Sequence, residues 1–164
     1  MQGYDYSQSG CYFITLCSFK KELTFGKIVD GKIVLSDVGK VAKKFLEDIP
    51  NHFENVLVDE YVIMPNHIHV IIIIVGVQNF EPLQHKYQKT IPKSIGSIIR
   101  AYKAAVTTWF KNNGHPDFKW QRNFFEHIIR NDEDLYRIRE YIMNNILQWE
   151  LDEDNPNRPV KKKM

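Results

Sequence analysis

Residues 61–75, YVIMPNHIHVIIIIV, decide the fold class of this chain of 164 residues. The segment divides at Pro65-Asn66 into the end of one apolar strand and the start of another, because a proline-asparagine pair interrupts a strand and favours a turn. Residues 70–75 are the longest wholly apolar run, which is far too short to span a bilayer. The sequence therefore predicts a buried central strand that begins at His67.

Strands and helices are predicted on both sides of this segment. Asp30-Gly31 is the strongest short hairpin signal, and apolar residues at helical spacing predict amphipathic helices. The predicted strands cover residues 11–19, 25–29, 32–35, 53–64, 67–77 and 124–130; the predicted helices cover about 37–48, 95–110 and 132–149, with a polar loop over 78–92. This order predicts an α+β sandwich in which helices pack on an antiparallel sheet.

Length and composition indicate one domain over residues 1–164, with mobile tails at 1–9 and 152–164. Hydrophobic residues make up 43% and charged residues 26%, which is ordinary globular usage. Cys11 and Cys17 lie six residues apart on one predicted strand, too far for a disulfide, so we expect free thiols in a reducing compartment. No secretion signal or membrane segment is visible, and we expect a cytoplasmic protein.

His67 and His69 form the first candidate site. Side chains alternate across a strand, so these two share one face with Cβ atoms roughly 6–7 Å apart, and both imidazoles can reach one divalent cation. The alternative is a pair of solvent-facing histidines at a strand start. Attachment to a buried strand favours the metal role, because two buried polar rings need partners.

Tyr141 and Asn145 form the second candidate site, on the last predicted helix. They are four residues apart and lie on one side of it. At 100° per residue Asn145 falls only about 20° from the apolar Ile138, and an amide directed at the core needs a hydrogen-bond partner or a metal. Tyr141 can present its phenol to the same point. The alternative is an edge tyrosine with a capping amide.

Aromatic and basic residues interleave in residues 120–127, WQRNFFEH. Base stacking and phosphate contact require this combination, although a strand whose aromatics complete the core explains it equally well. The net charge is +2, yet residues 86–130 hold nine Lys/Arg against two Asp/Glu, which favours a phosphate-binding surface. The candidate DNA contacts are Lys93, Arg100, Lys103, Trp120, Gln121, Arg122, His127 and Arg130.

Four blocks of the sequence resemble a known family in their order and spacing: YVIMPNHIHV at 61–70, SIIRAYK at 97–103, WQRNFFEHIIR at 120–130 and YIMNN at 141–145. Over about residues 10–150 the chain resembles the single-tyrosine transposases of the HUH (histidine-hydrophobic-histidine) superfamily, the IS-two-hundred-like insertion-sequence transposases. Within them it is most similar to the branch associated with repetitive extragenic palindromes.

The resemblance implies a ferredoxin-like fold with the histidine pair on a central strand. It implies an enzyme, a DNA endonuclease and strand transferase, that nicks and rejoins single-stranded DNA at hairpin-marked sites. His67, His69 and Asn145 match the residues that hold a divalent ion, Mg²⁺ or Mn²⁺. Tyr141 matches the nucleophile that forms a 5′-phosphotyrosine. Asn145 fits the palindrome-associated branch, whereas Ile146 replaces the proline usual there and lets the helix continue.

A non-catalytic protein that binds DNA or RNA hairpins on the same fold is the alternative function. A metal-dependent hydrolase is disfavoured, because no carboxylate base lies near the histidines in the sequence. The sequence leaves open the hairpin and target sequences. It also leaves open whether the protein is a monomer or a homodimer in which Tyr141 serves the partner's histidines.

Overall fold

The computed structural model describes residues 9–76 and 94–159. In chain order these residues form β1 (Gly10–Cys17), β2 (Gly26–Val29), β3 (Lys32–Leu35), α1 (Asp37–Glu47), α2 (Ile49–His52), β4 (Val56–Ile63), β5 (His67–Ile74), α3 (Ile95–Asn112), β6 (Phe125–Ile129) and α4 (Asp132–Gln148). Short 3₁₀ turns follow β1 at Phe19–Lys21 and α4 at Trp149–Leu151. The loop predicted over residues 78–92 lies outside the described residues.

Four strands form one sheet in the order β4-β5-β1-β6, and every neighbouring pair is antiparallel. With the β2–β3 hairpin, the short α2 and the final α4 set aside, the chain order is β1-α1-β4-β5-α3-β6, which gives the ferredoxin-like arrangement. The predicted α+β fold is therefore confirmed. β5, which carries the histidines, lies inside the sheet between β4 and β1.

The two faces of the sheet are covered by different helices, because side chains alternate along each strand. One face packs against α1 and α3, and its core includes Tyr12 and Ile14 of β1 and Ile68 and Val70 of β5. The opposite face packs against α4 through Phe13, Ile71, Ile138 and Ile142. Because His67 and His69 have the same parity as Ile71, they belong to the face under α4.

α4 is held to both edges of the sheet by polar side-chain contacts. The guanidinium of Arg139 donates two hydrogen bonds to Asp59 of β4, at 2.8 and 3.0 Å. At the start of the helix, His127 of β6 contacts Asp134, with Nε2 2.7 Å from Oδ2. The two-point pairing of Arg139 with Asp59 fixes orientation as well as distance. The rotational position of α4 is therefore set from both sides.

The structure differs from the sequence prediction at two helix boundaries. Pro50 does not end the helical region; it lies in the first turn of the short α2, where a missing N–H costs nothing. α3 extends past Phe110 to Asn112. The β2–β3 hairpin forms as predicted. Its turn residues Asp30 and Gly31 have φ of 50° and 69°, as a type I′ turn requires.

Within residues 9–76 and 94–159, none of the helices combines the length and apolar character that crossing a bilayer demands. The thiols of Cys11 and Cys17 are free, as their spacing on one strand predicts.

Gly39 generates a stability prediction. A Cβ at this helical glycine would lie 1.9 Å from the carbonyl oxygen of Phe25, so Gly39→Ala must push α1 away from the adjoining backbone. We expect the free energy of unfolding to fall by about 3 kcal/mol or more, the upper range for overpacking, as measured by urea denaturation. Gly96→Ala in α3 is the matched control, since its Cβ would meet nothing closer than 3.6 Å. Equal stability of the two variants would contradict this packing.

Candidate active site

The two histidines lie side by side under α4. Their ring centroids are 4.6 Å apart, and their exposed fractions are 1% for His67 and 5% for His69. Burial lowers the pKa of His69 to about 3, and the neighbouring imidazole of His67 lowers it as well. Both rings are therefore neutral at physiological pH, which is the state in which a histidine binds metal.

β1 supplies the surroundings of His69. Thr15 is its register partner on β1, and Oγ1 of Thr15 lies 2.8 Å from Nδ1 of His69. The ring of Phe13 stacks on His69 with centroids 5.3 Å apart. The imidazole is thus held by an apolar ring on one side and a hydroxyl at Nδ1.

His67 is held by its chain neighbour. Nδ1 of His67 lies 2.8 Å from Oδ1 of Asn66, and its ring is tilted against Trp149 at 6.2 Å. Burial lowers the pKa of His67, whereas the carboxylates of Asp152 and Asp154 raise it. Oδ2 of Asp154 is 3.9 Å from Nδ1.

α4, which covers the face of the sheet that carries the histidines, brings Tyr141 into contact with His69. Its hydroxyl lies 3.3 Å from Nε2 of His69, and its ring packs edge-on against Phe13 at 6.1 Å. The side chain keeps 44% of its surface exposed. Partial burial raises the pKa of the phenol, while the Asn145 amide lowers it. Tyr141 is both in contact with the site and open to solvent.

Asn145, one turn later, is 2% exposed, and its side chain lies beside both His67 and Tyr141. Its Oδ1 has no hydrogen-bond partner in the part of the chain that the structure describes. A buried acceptor without a partner typically costs about 1–3 kcal/mol, and native proteins rarely keep one without a reason. A ligand that binds this oxygen would remove that cost.

A cleft of about 400 Å³ opens beside these residues. It is lined by Tyr141, Asn145, Gln148, Leu151 and the acidic run Asp152, Glu153 and Asp154. Within the segment from residue 152 onward, which the sequence predicts to be a mobile tail, the backbone carbonyl of Asp154 accepts a hydrogen bond from the Asn66 amide at 2.7 Å. The Asp154 carboxylate also pairs with Lys21. The buried amide of Asn66 is thus satisfied by the chain that follows α4.

The donor set at the site fits a divalent cation. Among residues 9–76 and 94–159, no three His, Cys, Asp or Glu side chains cluster as a metal site, so two histidines need a third donor of another type. The unpartnered amide oxygen of Asn145 is such a donor. Two imidazoles and one amide oxygen are neutral ligands, which leave the full charge of a cation available to an anionic substrate.

A basic groove of about 680 Å³ lies between α3 and the segment before β6. Its lining includes Phe19, Lys103, Lys111, Lys119, Gln121 and Arg122. The groove reaches the end of β1 that pairs with the start of β5, because the Gln121 N–H donates to the carbonyl of Cys17 at 2.9 Å and Cys17 is the register partner of His67. The groove and the site therefore share one end of β1.

The candidate DNA contacts divide into three groups. Lys103, Trp120, Gln121 and Arg122 line this groove, and Arg100 is exposed one turn earlier on α3. His127 is paired with Asp134, and Arg130 follows the end of β6 that lies away from the histidines. Lys93 lies outside the described residues.

Two members of the groove also have structural contacts. Nζ of Lys103 donates to the carbonyl oxygens of Gln121 and Arg122, at 2.7 and 3.2 Å. Trp120 packs against Phe25 and Phe118, with centroids 5.4 and 5.2 Å apart. Trp120 therefore packs against the core, as expected if the aromatic residues of this segment complete it.

A protein of Haemophilus influenzae (strain Rd), known as an uncharacterized protein, is 44% identical to the chain over 161 residues, covering 93% of this chain and 89% of the relative. The chain belongs to the same family as this Haemophilus protein. No protein-family model matches the chain.

A REP-associated tyrosine transposase, solved bound to a REP hairpin, has a similar structure, with a TM-score of 0.62 and 18% identity over 90% of this chain and 74% of that one. At this identity the similarity concerns the fold. The chain thus shares the fold of this REP-associated tyrosine transposase, as its sequence motifs predict. A candidate transposase of Deinococcus radiodurans R1 gives 17% identity over 88% of this chain and 95% of that one, with a TM-score of 0.47, which is too low to support an argument.

Several residues of the site were not found from the sequence. Asn66 directly precedes the histidine motif, so a polar residue next to a buried pair was an available signal. No signal in the sequence indicated Thr15 and Phe13, because their positions beside His69 depend on the register between β1 and β5. The approach of Asp152 and Asp154 likewise depends on the turn after α4.

The low pKa of His69 predicts a loss of stability in acid. In the unfolded chain its pKa is about 6.5 and in the folded protein about 3, so below pH 6.5 the unfolded state binds the extra proton. Stability is therefore lost as the pH falls from 6.5 towards 3, and the loss reaches roughly 3 kcal/mol at pH 4. We expect His69→Gln to lose less stability than the wild type between pH 7 and pH 4, in urea titrations with a chelator.

His115→Gln is the control, because it removes an exposed histidine instead of a buried one. Identical pH profiles for His69→Gln and the wild type would contradict the buried neutral state of His69.

Proposed function

We propose that this protein is a metal-dependent single-tyrosine transposase, which nicks and rejoins single-stranded DNA at hairpin-marked sites through a 5′-phosphotyrosine on Tyr141. The observation that carries the proposal is the unpartnered amide oxygen of Asn145 beside two buried, neutral histidines, one of which contacts the Tyr141 hydroxyl. A cation donor set and a nucleophile thus converge at one point that opens to solvent.

Three side chains would hold the metal in this proposal: His67, His69 and Asn145. When bound, Mg²⁺ or Mn²⁺ would supply Lewis-acid stabilisation of the negative charge on the scissile phosphate and on the phenolate. Tyr141 needs such help, because its pKa is raised by burial and a neutral phenol is a poor nucleophile. The protein contributes the position of these groups, which α4 and β5 fix before substrate arrives.

The chemical step balances without an external energy source. The phenolic oxygen of Tyr141 loses its proton and attacks phosphorus, and the bond between phosphorus and the 3′ oxygen breaks. That oxygen takes up a proton and leaves as a 3′-hydroxyl, while the 5′ phosphate stays on Tyr141. Because one phosphoester replaces another, attack by a new 3′-hydroxyl on this ester rejoins a strand and regenerates the tyrosine.

The basic groove supports a nucleic-acid substrate. Lys111, Lys119 and Arg122 place cationic groups along it, and phosphate contacts of this type give affinity without sequence preference. The transposase of similar fold was solved with a REP hairpin, which makes a DNA hairpin our choice of partner. A cut phosphate at Tyr141 and a stem in the groove would belong to one DNA molecule, since both lie at the same end of β1.

The alternative is a hairpin-binding protein without strand transfer. The basic groove serves both functions equally, but only the enzyme accounts for the buried imidazoles and the unpartnered Asn145 oxygen. The covalent intermediate therefore distinguishes the two.

Tyr141→Phe should abolish the covalent protein–DNA adduct and strand cleavage, because the variant lacks the attacking oxygen. Hairpin affinity should stay within a few-fold of wild type, since the groove is unchanged. The measurement is a denaturing gel of labelled single-stranded hairpin DNA incubated with protein and Mn²⁺ or Mg²⁺, together with a binding titration.

Tyr136→Phe is the matched control on the same helix. Tyr136 is 66% exposed and lies five residues earlier, about 140° around the helix axis, so this variant should keep adduct and cleavage. An adduct that survives in Tyr141→Phe would refute the mechanism, and a wild-type protein without an adduct would support the binding protein.

Hairpin binding should weaken steeply with salt if the groove contacts phosphates. The logarithm of the affinity falls by about 0.7–0.9 for each neutralised phosphate per tenfold rise in salt. The double variant Lys119→Glu/Arg122→Glu should reduce both the affinity and this slope, as measured by fluorescence anisotropy between about 50 and 200 mM salt.

Lys27→Glu/Lys32→Glu changes the net charge equally on the exposed β2–β3 hairpin and controls for long-range charge. Equal losses in the two double variants, or an affinity independent of salt, would show that the groove is not the binding surface.

A further inference from the structure

We propose that Asn66 and Thr15 are positioning residues that hold His67 and His69 in the tautomer protonated on Nδ1, which leaves the lone pair of each Nε2 for a cation. The inference rests on the proposed function, in which the two histidines bind metal. It adds the residues that prepare the imidazoles before metal or DNA arrives.

The orientation of the Asn66 amide follows from its own partners. Asn66 is fully buried, and its Nδ2 lies 3.1 Å from the carbonyl oxygen of Lys21 and 2.7 Å from that of Asp154. Carbonyl oxygens only accept hydrogen bonds, so the NH₂ group must face them. The amide oxygen is thereby turned towards His67.

The tautomer of His67 follows from that orientation. Oδ1 of Asn66 is 2.8 Å from Nδ1 of His67, and an amide oxygen can only accept. A neutral imidazole carries one proton, which must then be on Nδ1. Nε2 keeps its lone pair, and the side chain of Asn145 lies beside the ring.

The second histidine is arranged in the same way from a different strand. Oγ1 of Thr15 lies 2.8 Å from Nδ1 of His69, and the hydroxyl of Tyr141 lies 3.3 Å from Nε2. Both hydroxyls can donate or accept, so these two distances fit either tautomer. In the proposed function Nε2 faces the cation, which places the proton of the neutral ring on Nδ1, where it is donated to Thr15.

The two residues that contact the Nδ1 atoms, Thr15 and Asn66, both lie in rigid parts of the fold. Thr15 is the register partner of His69 on β1, and Asn66 is anchored to two separate backbone segments. Partners of this kind fix the ring orientation of metal-binding histidines, and their loss typically weakens metal affinity roughly 10–100-fold. Neither residue touches the reacting atoms, so each acts only through its histidine.

The test uses the full chain and two measurements. Nitrogen-15 NMR of the histidine rings in metal-free protein reports which ring nitrogen carries the proton, and Mn²⁺ titration followed by electron paramagnetic resonance reports metal affinity. Wild type should show Nδ1–H for both His67 and His69. Thr15→Val, which keeps the shape of the side chain, should shift only His69 and weaken Mn²⁺ binding about 10–100-fold. Thr15→Ser keeps the hydroxyl and should therefore retain the wild-type tautomer of His69 and the wild-type Mn²⁺ affinity.

Asn66→Ala should shift only His67 and weaken Mn²⁺ binding by a similar factor. Ser18→Ala is its control, because the Ser18 hydroxyl bonds to the carbonyl oxygens of Asn66 and Glu22 in the same region but touches neither imidazole. Ser18→Ala should keep the wild-type tautomers and affinity.

Two outcomes would overturn the proposal. The first is an Nε2–H tautomer at either histidine in the wild-type protein, which needs no variant and so does not depend on Asn66→Ala folding. The second is wild-type Mn²⁺ affinity in Thr15→Val. Tautomers that respond as expected in a protein that never binds Mn²⁺ would uphold the positioning contacts and instead refute the metal site of the proposed function.

Discussion

The burial of two neutral imidazoles on one face of the sheet is the constraint on which the site depends. The alternation of side chains along β5 directs His67 and His69 to the face that α4 covers, where water cannot satisfy them. Each ring therefore needs protein partners, and Asn66, Thr15 and Tyr141 supply them within 2.8–3.3 Å. Asn145 Oδ1 is the buried acceptor left without one among the described side chains.

The position of α4 decides which of its residues meet the histidines. Arg139 binds Asp59 on one edge strand and Asp134 binds His127 on the other, while Ile138 and Ile142 pack between them on the sheet. Burying an aliphatic side chain of this size contributes about 1.5–3 kcal/mol, so a rotated helix would lose several such contacts. The packing that stabilises α4 therefore also aims Tyr141 and Asn145 at the histidines.

Charge is distributed unequally around this end of the sheet. Asp152 and Asp154 approach the histidines after α4, and Lys21 pairs with Asp154, while the lysines and Arg122 of the groove lie beyond β1. Carboxylates near a neutral donor set favour a bound cation, whereas the groove favours phosphate. Lys20 and Lys21 between these regions have positive φ of 53° and 56°, a conformation that the contacts of Ser18 and Asn66 with this turn support.

The sequence by itself determined the elements, the α+β class and the four residues that converge at the site, because periodicity, turn signals and the motif at 61–70 are local. Helical spacing placed Asn145 inward, and the structure places it at 2% exposure. Only the tertiary structure decided the partners of these residues. Thr15 and Phe13 reach His69 through strand register, and Asp154 reaches Asn66 from a segment 88 residues away. Trp120 packs into the core and Lys103 bonds to backbone carbonyls, since composition does not reveal whether an aromatic or a lysine faces solvent or the protein.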